Sequence, residues 1–97
     1  MNLQLNNKQM LVTGGSRGIG LAIALSFARE GALPLIVSRS ADALQQAAQH
    51  ILQHTSVQAR TLAADLATAA GVQAVVAASA EVDLLVNNGR HSWRHAA

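Results

Sequence analysis

The chain has 97 residues, enough for one small domain with a modest core. It contains no cysteine, which excludes disulfide frameworks and thiolate metal sites. The formal net charge of +2 is small; Lys8, Arg17, Arg29, Arg39 and Arg60 are scattered and only Arg90, His91, Arg94 and His95 cluster, so no basic face for nucleic acid is expected, and no apolar stretch approaches the ~20 residues of a membrane span.

The elements follow one another regularly. Residues 1–8 are polar and the apolar run at 10–12 is too short for a signal-peptide core, so a soluble cytoplasmic protein is expected. Residues 10–12 read as a first buried strand. A glycine-rich turn at 14–20 leads into a helix to about Glu30, because Ile19, Ile23 and Phe27 recur every four residues. Gly31 stands where a helix-ending glycine belongs. Residues 33–37 form a second apolar run; Pro34 cannot donate to a ladder, so this strand is expected to begin at or just after it.

Ser40 is placed to cap the next helix, whose stripe is Leu44, Ala47, Ala48, Ile51 and Leu52. Residues 57–62 alternate and read as a third strand. Val72, Val75, Val76 and Ser79 give another helical stripe, and residues 82–86 a fourth strand. The order βαβαβαβ is that of an α/β protein with parallel strands and right-handed helical crossovers.

The feature that carries most chemistry is Thr13-Gly14-Gly15-Ser16-Arg17-Gly18-Ile19-Gly20, between a strand and a helix. Gly14 permits a sharp exit from the strand, Gly18 lets backbone approach a pyrophosphate, and Gly20 lets the helix pack close to the sheet. The helix N-terminus then offers N–H groups and a positive dipole end to phosphates. No Gly-Lys-Ser/Thr follows, which disfavours a P-loop; an ordinary glycine-containing turn is the bland alternative.

An NAD site places a carboxylate about 20 residues after the glycines, to accept from the ribose 2′-OH. Here that position reads Val37-Ser38-Arg39-Ser40, and the first carboxylate is Asp42. A guanidinium pairs with a 2′-phosphate where a carboxylate would repel it, so NADP is expected over NAD, with Arg17 as a second positive group. The alternative for Arg39 is a solvated surface arginine.

The octapeptide 13–20 resembles the cofactor motif of the short-chain dehydrogenase/reductase family. Arg39 past the second strand, Asp65-Leu66 past the third, and Leu84-Leu85-Val86-Asn87-Asn88-Gly89, similar to the family's fourth strand and Asn-Asn-Ala-Gly segment, extend the likeness over residues 8–89. The resemblance implies a partial Rossmann fold, with strand order 3-2-1-4 and helices on both faces, and an oxidoreductase moving hydride between a carbonyl and an alcohol.

It also implies roles. Gly14, Ser16, Arg17, Gly18, Ile19 and Gly20 would surround the phosphates and adenosine ribose. Asp65 would meet the adenine amino group with Leu66 beside the ring. Asn87 and Gly89 would border the cofactor ribose on the nicotinamide side, and Asn88 would tie the sheet together.

The family's chemistry resembles acid–base catalysis by a tyrosine assisted by a lysine four residues later. This sequence has no tyrosine, and its one lysine is Lys8, so no catalytic residue is assigned and the chain alone is expected to be inactive. Residues 1–89 read as the cofactor-binding fragment and 90–97 as an aberrant or disordered tail. One permitted back-translation of that tail, with its first G dropped, reads Ala-Gly-Ile-Pro-Gly-Gly-Thr-Pro and restores Ala-Gly after Asn87-Asn88. A frameshift is therefore expected, a fragment with an arbitrary end being the alternative.

A substrate is expected only for a full-length version. The isolated chain is expected to be poorly soluble or molten, because strand 82–86 would be an open edge able to pair with another chain. A non-catalytic nucleotide-binding fragment, or a module that pairs through that strand, is the second functional reading. His91 and His95, and likewise His50 and His54, have the spacing of a metal pair but lack a third ligand, so no metal is expected.

Overall fold

The computed structural model describes residues 6–14 and 18–87. Seven elements alternate: β1 (Gln9–Thr13), α1 (Gly18–Arg29), β2 (Leu33–Ser38), α2 (Ala41–Thr55), β3 (Arg60–Ala63), α3 (Ala69–Ser79) and β4 (Leu84–Asn87). The four strands form one sheet in the order β3-β2-β1-β4, and every pairing is parallel. This is the partial Rossmann arrangement the sequence led us to expect.

The near-continuous apolar strands have the composition of a sheet covered on both faces. Successive side chains point to opposite sides, so Met10, Val12 and Ile36 pack with Ala24 and Ala28 of α1 and Leu44, Ala47 and Ile51 of α2. Leu11, Leu35 and Val37 face the other way, against Leu62, Ala64, Val75, Ala78 and Val82. Thus α1 and α2 cover one face and α3 the other. Alanines dominate the helical side of the larger cluster, so the helices lie close to the sheet.

Local chemistry fixes the element ends. Gly31 has φ +95°. Its N–H donates to the Ala28 carbonyl while that of Ala32 donates to Phe27, the paired bonds that close a helix through a left-handed residue. Ser40 is extended (φ −97°, ψ 112°), and its Oγ accepts from the Ala43 N–H at 3.1 Å. Ser56, with φ 64°, ends α2 and donates to the Leu52 carbonyl.

Four expectations need correction. Strand β3 begins at Arg60 rather than 57: Val57 and Ala59 owe their alternation to packing against the larger cluster, while the ladder to β2 starts at Leu35↔Arg60. Pro34 lies within β2, not at its boundary. The Leu33 N–H donates to Lys8 on the β1 side, so position 34 faces the β3 side, just before that ladder begins, where no donor is needed. On α3 the inward row is Gly71, Val75 and Ala78, whereas Val72 and Val76 of the expected stripe are exposed.

Strand β4 starts at Leu84 rather than 82. Asp83 precedes the ladder and instead exchanges two bonds with Gln9: its N–H donates to the Gln9 carbonyl at 2.7 Å, and its Oδ2 accepts the Gln9 N–H at 2.8 Å. Among the described residues no helix is long and apolar enough to cross a membrane. No group of three or more His, Cys, Asp or Glu among them could hold a metal ion. His50 and His54 lie on α2 with ring centroids 4.2 Å apart, and His54 Nδ1 is 2.8 Å from the His50 carbonyl oxygen.

Candidate dinucleotide site at the carboxyl edge of the sheet

All four parallel strands end on one edge of the sheet. The register places Thr13 opposite both Val37 and Asn87, and Ser38 opposite Ala63. The loops leaving β3, β2 and β1 and the end of β4 therefore stand side by side in that order. They carry Asp65 and Leu66, then Arg39, then Gly14 and the start of α1, then Asn87. Ligands of open parallel sheets bind outside the strands' carboxyl ends, where the connections turn to opposite faces of the sheet. Here that point lies between β1 and β4, where the strand order reverses: the chain steps outward from β1 to β3 with α1 and α2 on one face, then returns to the other side of β1 through α3 on the opposite face.

The turn out of β1 is built on backbone that side chains rarely adopt. Gly14 has φ 69° and Gly18 φ 64°. The Gly14 N–H is held by the Val37 carbonyl at 2.9 Å, which anchors the turn to β2. A Cβ built on Gly18 would meet nothing within 4 Å, so α1 opens onto free space at its first residue. Gly20 is buried, as a close helix–sheet contact requires. Ile19, in contrast, is 70 % exposed, an apolar side chain left uncovered beside the helix start. The first N–H groups of α1 have no helical acceptor and carry the positive end of its dipole. This arrangement fits a pyrophosphate flanked by apolar surface. Ser16 and Arg17 lie outside the described residues, and so does Gly89.

Arg39 is exposed, directly after β2. Its neighbours hold the loop: the Ser40 N–H donates to Ser38 Oγ at 3.3 Å, and the Ser38 carbonyl accepts from Ala64 at 2.9 Å. The second of these bonds joins the β2 loop to the β3 loop. Asp65 is half-buried, and its loop is tightly organised. Its Oδ1 accepts from the Ala67 N–H at 2.9 Å, while its carbonyl accepts from Thr68 N (3.1 Å) and Thr68 Oγ1 (2.9 Å). Leu66 beside it is half-buried.

At the other end, Asn87 is exposed on the last residue of β4, and its Oδ1 accepts a hydrogen bond from buried Thr13 Oγ1 at 2.8 Å. That bond ties β4 to β1. Sequence reading treated Thr13 only as part of the motif; its hydroxyl in an otherwise apolar strand was the available signal. The structure thus brings Gly14, Gly18, Ile19, Gly20, Arg39, Asp65, Leu66 and Asn87 to one edge.

The chain matches the family model described as short chain dehydrogenase over residues 8–96. It is 43% identical over 89 residues to an oxidoreductase of Mycobacterium tuberculosis, covering 88% of this chain and 34% of that protein. It is 42% identical over 87 residues to a rhamnolipid-biosynthesis 3-oxoacyl-[acyl-carrier-protein] reductase of Pseudomonas aeruginosa, covering 86% and 33%. The L-sorbose reductase of Gluconobacter frateurii, solved with NADPH and L-sorbose, superposes with TM-score 0.85 at 40% identity, over 94% of this chain and 36% of that one. The chain spans about a third of the length of these relatives.

Proposed function

The chain belongs to the short chain dehydrogenase family, and on that footing we propose that residues 1–89 form the cofactor-binding part of an NADP-dependent oxidoreductase acting on a carbonyl/alcohol pair. The observation that carries the reading is the alignment of the four strand ends in the order Asp65, Arg39, Gly14–Gly20, Asn87. An extended dinucleotide has its parts in the same order: adenine, ribose with its 2′-phosphate, pyrophosphate, nicotinamide ribose. The NADPH held by the L-sorbose reductase supports a nicotinamide dinucleotide.

When bound, the nicotinamide supplies or takes the hydride. This chain's residues bind and orient. The start of α1, with Gly14, Ser16, Arg17, Gly18, Ile19 and Gly20, receives the phosphates on backbone N–H groups and a dipole end. Arg39 pairs with the 2′-phosphate; Asp65 accepts from the adenine amino group, and Leu66 lies against the ring. Asn87 and Gly89 border the nicotinamide ribose. With no tyrosine and only Lys8 as lysine, the 97 residues bind the nucleotide without turning a substrate over.

Titration of NADPH and NADH fluorescence on the purified chain tests this. NADPH is expected to bind tighter, and Arg39→Asp to weaken NADPH relative to NADH by about tenfold. That is the lower end of what a charged hydrogen bond contributes, as suits an exposed arginine. An unchanged preference in the variant refutes the role of Arg39, and no binding of either nucleotide refutes the proposal as a whole.

One observation favours a second reading. Leu85 is 62 % exposed on β4, which has a paired strand only on its β1 side among the described residues. A strand with such an edge can pair with another chain. Sedimentation of the chain decides: a monomer across the accessible concentration range removes this reading.

A further inference from the structure

We propose that Gly71 is a positioning residue for Asp65, and that it thereby sets how the site discriminates the adenine ring. This rests on the reading that Asp65 accepts from the adenine amino group.

Gly71 sits in the first turn of α3, within Ala-Ala-Gly-Val, where an alanine would favour the helix more than glycine does. Its φ is not in the left-handed region, so backbone conformation does not demand glycine there. Space does. A Cβ built on Gly71 would fall onto the carbonyl oxygen of Asp65, 2.6 Å from its carbonyl carbon and 2.9 Å from its nitrogen. All three neighbours are backbone and cannot swing aside as a flexible side-chain tip could. Gly71 is buried under the Asp65 peptide.

Hydrogen bonds run along the same contact. The Gly71 N–H donates to Thr68 Oγ1 at 3.0 Å, and Thr68 Oγ1–H donates to the Asp65 carbonyl at 2.9 Å. The Thr68 N–H reaches the same carbonyl, while Asp65 Oδ1 receives the Ala67 N–H. The loop is thus pulled down onto the helix, and the depth at which it comes to rest is set by the missing side chain at position 71. An alanine there lifts the Asp65 peptide away from α3 and carries the carboxylate with it. Leu66 is the next residue and moves too.

The test uses the full chain with two probes: NADPH, and its reduced hypoxanthine analogue, in which a carbonyl oxygen replaces the adenine amino group. The parent chain is expected to bind NADPH at least about fivefold tighter than the analogue. Asp65→Ala is expected to abolish this ratio. Gly71→Ala is expected to bring it within about twofold of unity, with the circular dichroism of the parent. A glycine of purely structural value would instead leave the ratio intact, since alanine is the better helix former.

Should Gly71→Ala not fold, the pair Thr68→Val and Thr68→Ser reads the same contact. The valine, which cannot bridge Gly71 to Asp65, is expected to lose the ratio, and the serine to retain it. If Gly71→Ala, or failing it Thr68→Val, keeps the parent ratio while Asp65→Ala loses it, the positioning role is overturned and the adenine contact stands. If Asp65→Ala keeps the ratio, or the parent chain shows none, the adenine contact itself is wrong and the inference falls with it.

Discussion

Replacing Ile51 by alanine removes all of the side chain beyond Cβ from a site that is fully buried between α2 and the sheet. At ~0.8 kcal/mol for each buried carbon, the transfer loss is about 2.4 kcal/mol. A cavity term adds to it, since the surroundings include Ala28, Ala47 and Ala59, side chains too short to reach into the gap. The expected cost is about 3 kcal/mol, a large part of the ~5–15 kcal/mol that holds a whole domain. With a urea slope of about 1.5 kcal/mol/M, the unfolding midpoint falls by about 2 M. The control is the next residue. Leu52 has the same number of carbons but is 45 % exposed, so Leu52→Ala is expected to cost only about 1.3 kcal/mol, with no cavity to add to it. Equal losses in the two variants, or a loss below about 1 kcal/mol at Ile51, would refute the assignment of the inward face of α2.

Other expectations are smaller in scale. Ser40→Ala deletes the cap on the Ala43 N–H and should cost about 1 kcal/mol, lowering the thermal midpoint by roughly 4–8 °C, whereas Ser40→Asp should hold it near the parent value. Gly31→Ala forces a Cβ into φ +95° and against the Asn6 side chain; a loss of about 1–2 kcal/mol in urea titration is expected, and none would contradict the geometry of the α1 end. Raising salt from about 0.05 to 0.5 M should weaken NADPH more than NADH, because screening acts on an exposed arginine and a 2′-phosphate that only NADPH carries.

The strands of the middle of the sheet were legible because they are buried on both faces and need no alternation: residues 10–12 and 33–37 lie inside β1 and β2. The ends of the edge strands were not. Val57 and Ala59 alternate like a strand but serve the helix-side core, and Val82 is apolar because it packs under α3, not because it pairs. Burial and pairing leave the same mark in a sequence, and only the register separates them. At the candidate site, the glycines and Arg39 announced themselves through spacing. Gly71 did not, since a lone glycine in an alanine-rich helix gives no hint of the peptide that lies against it. Its place in a first turn, six residues after Asp65, was the one clue.

The amino end of the sheet is treated differently from the carboxyl end. Below the start of β3, where Pro34 offers no N–H, the Arg60 guanidinium reaches past β2 to Gln9 Oε1 at 2.8 Å, and the backbone of Gln9 is clasped by Asp83 from the β4 side. Gln9 thereby laces three strands together through polar groups at their base. With the Thr13–Asn87 and Gly14–Val37 bonds fastening the top, β1 is pinned to its neighbours at both ends, so the turn that leaves it springs from a fixed footing.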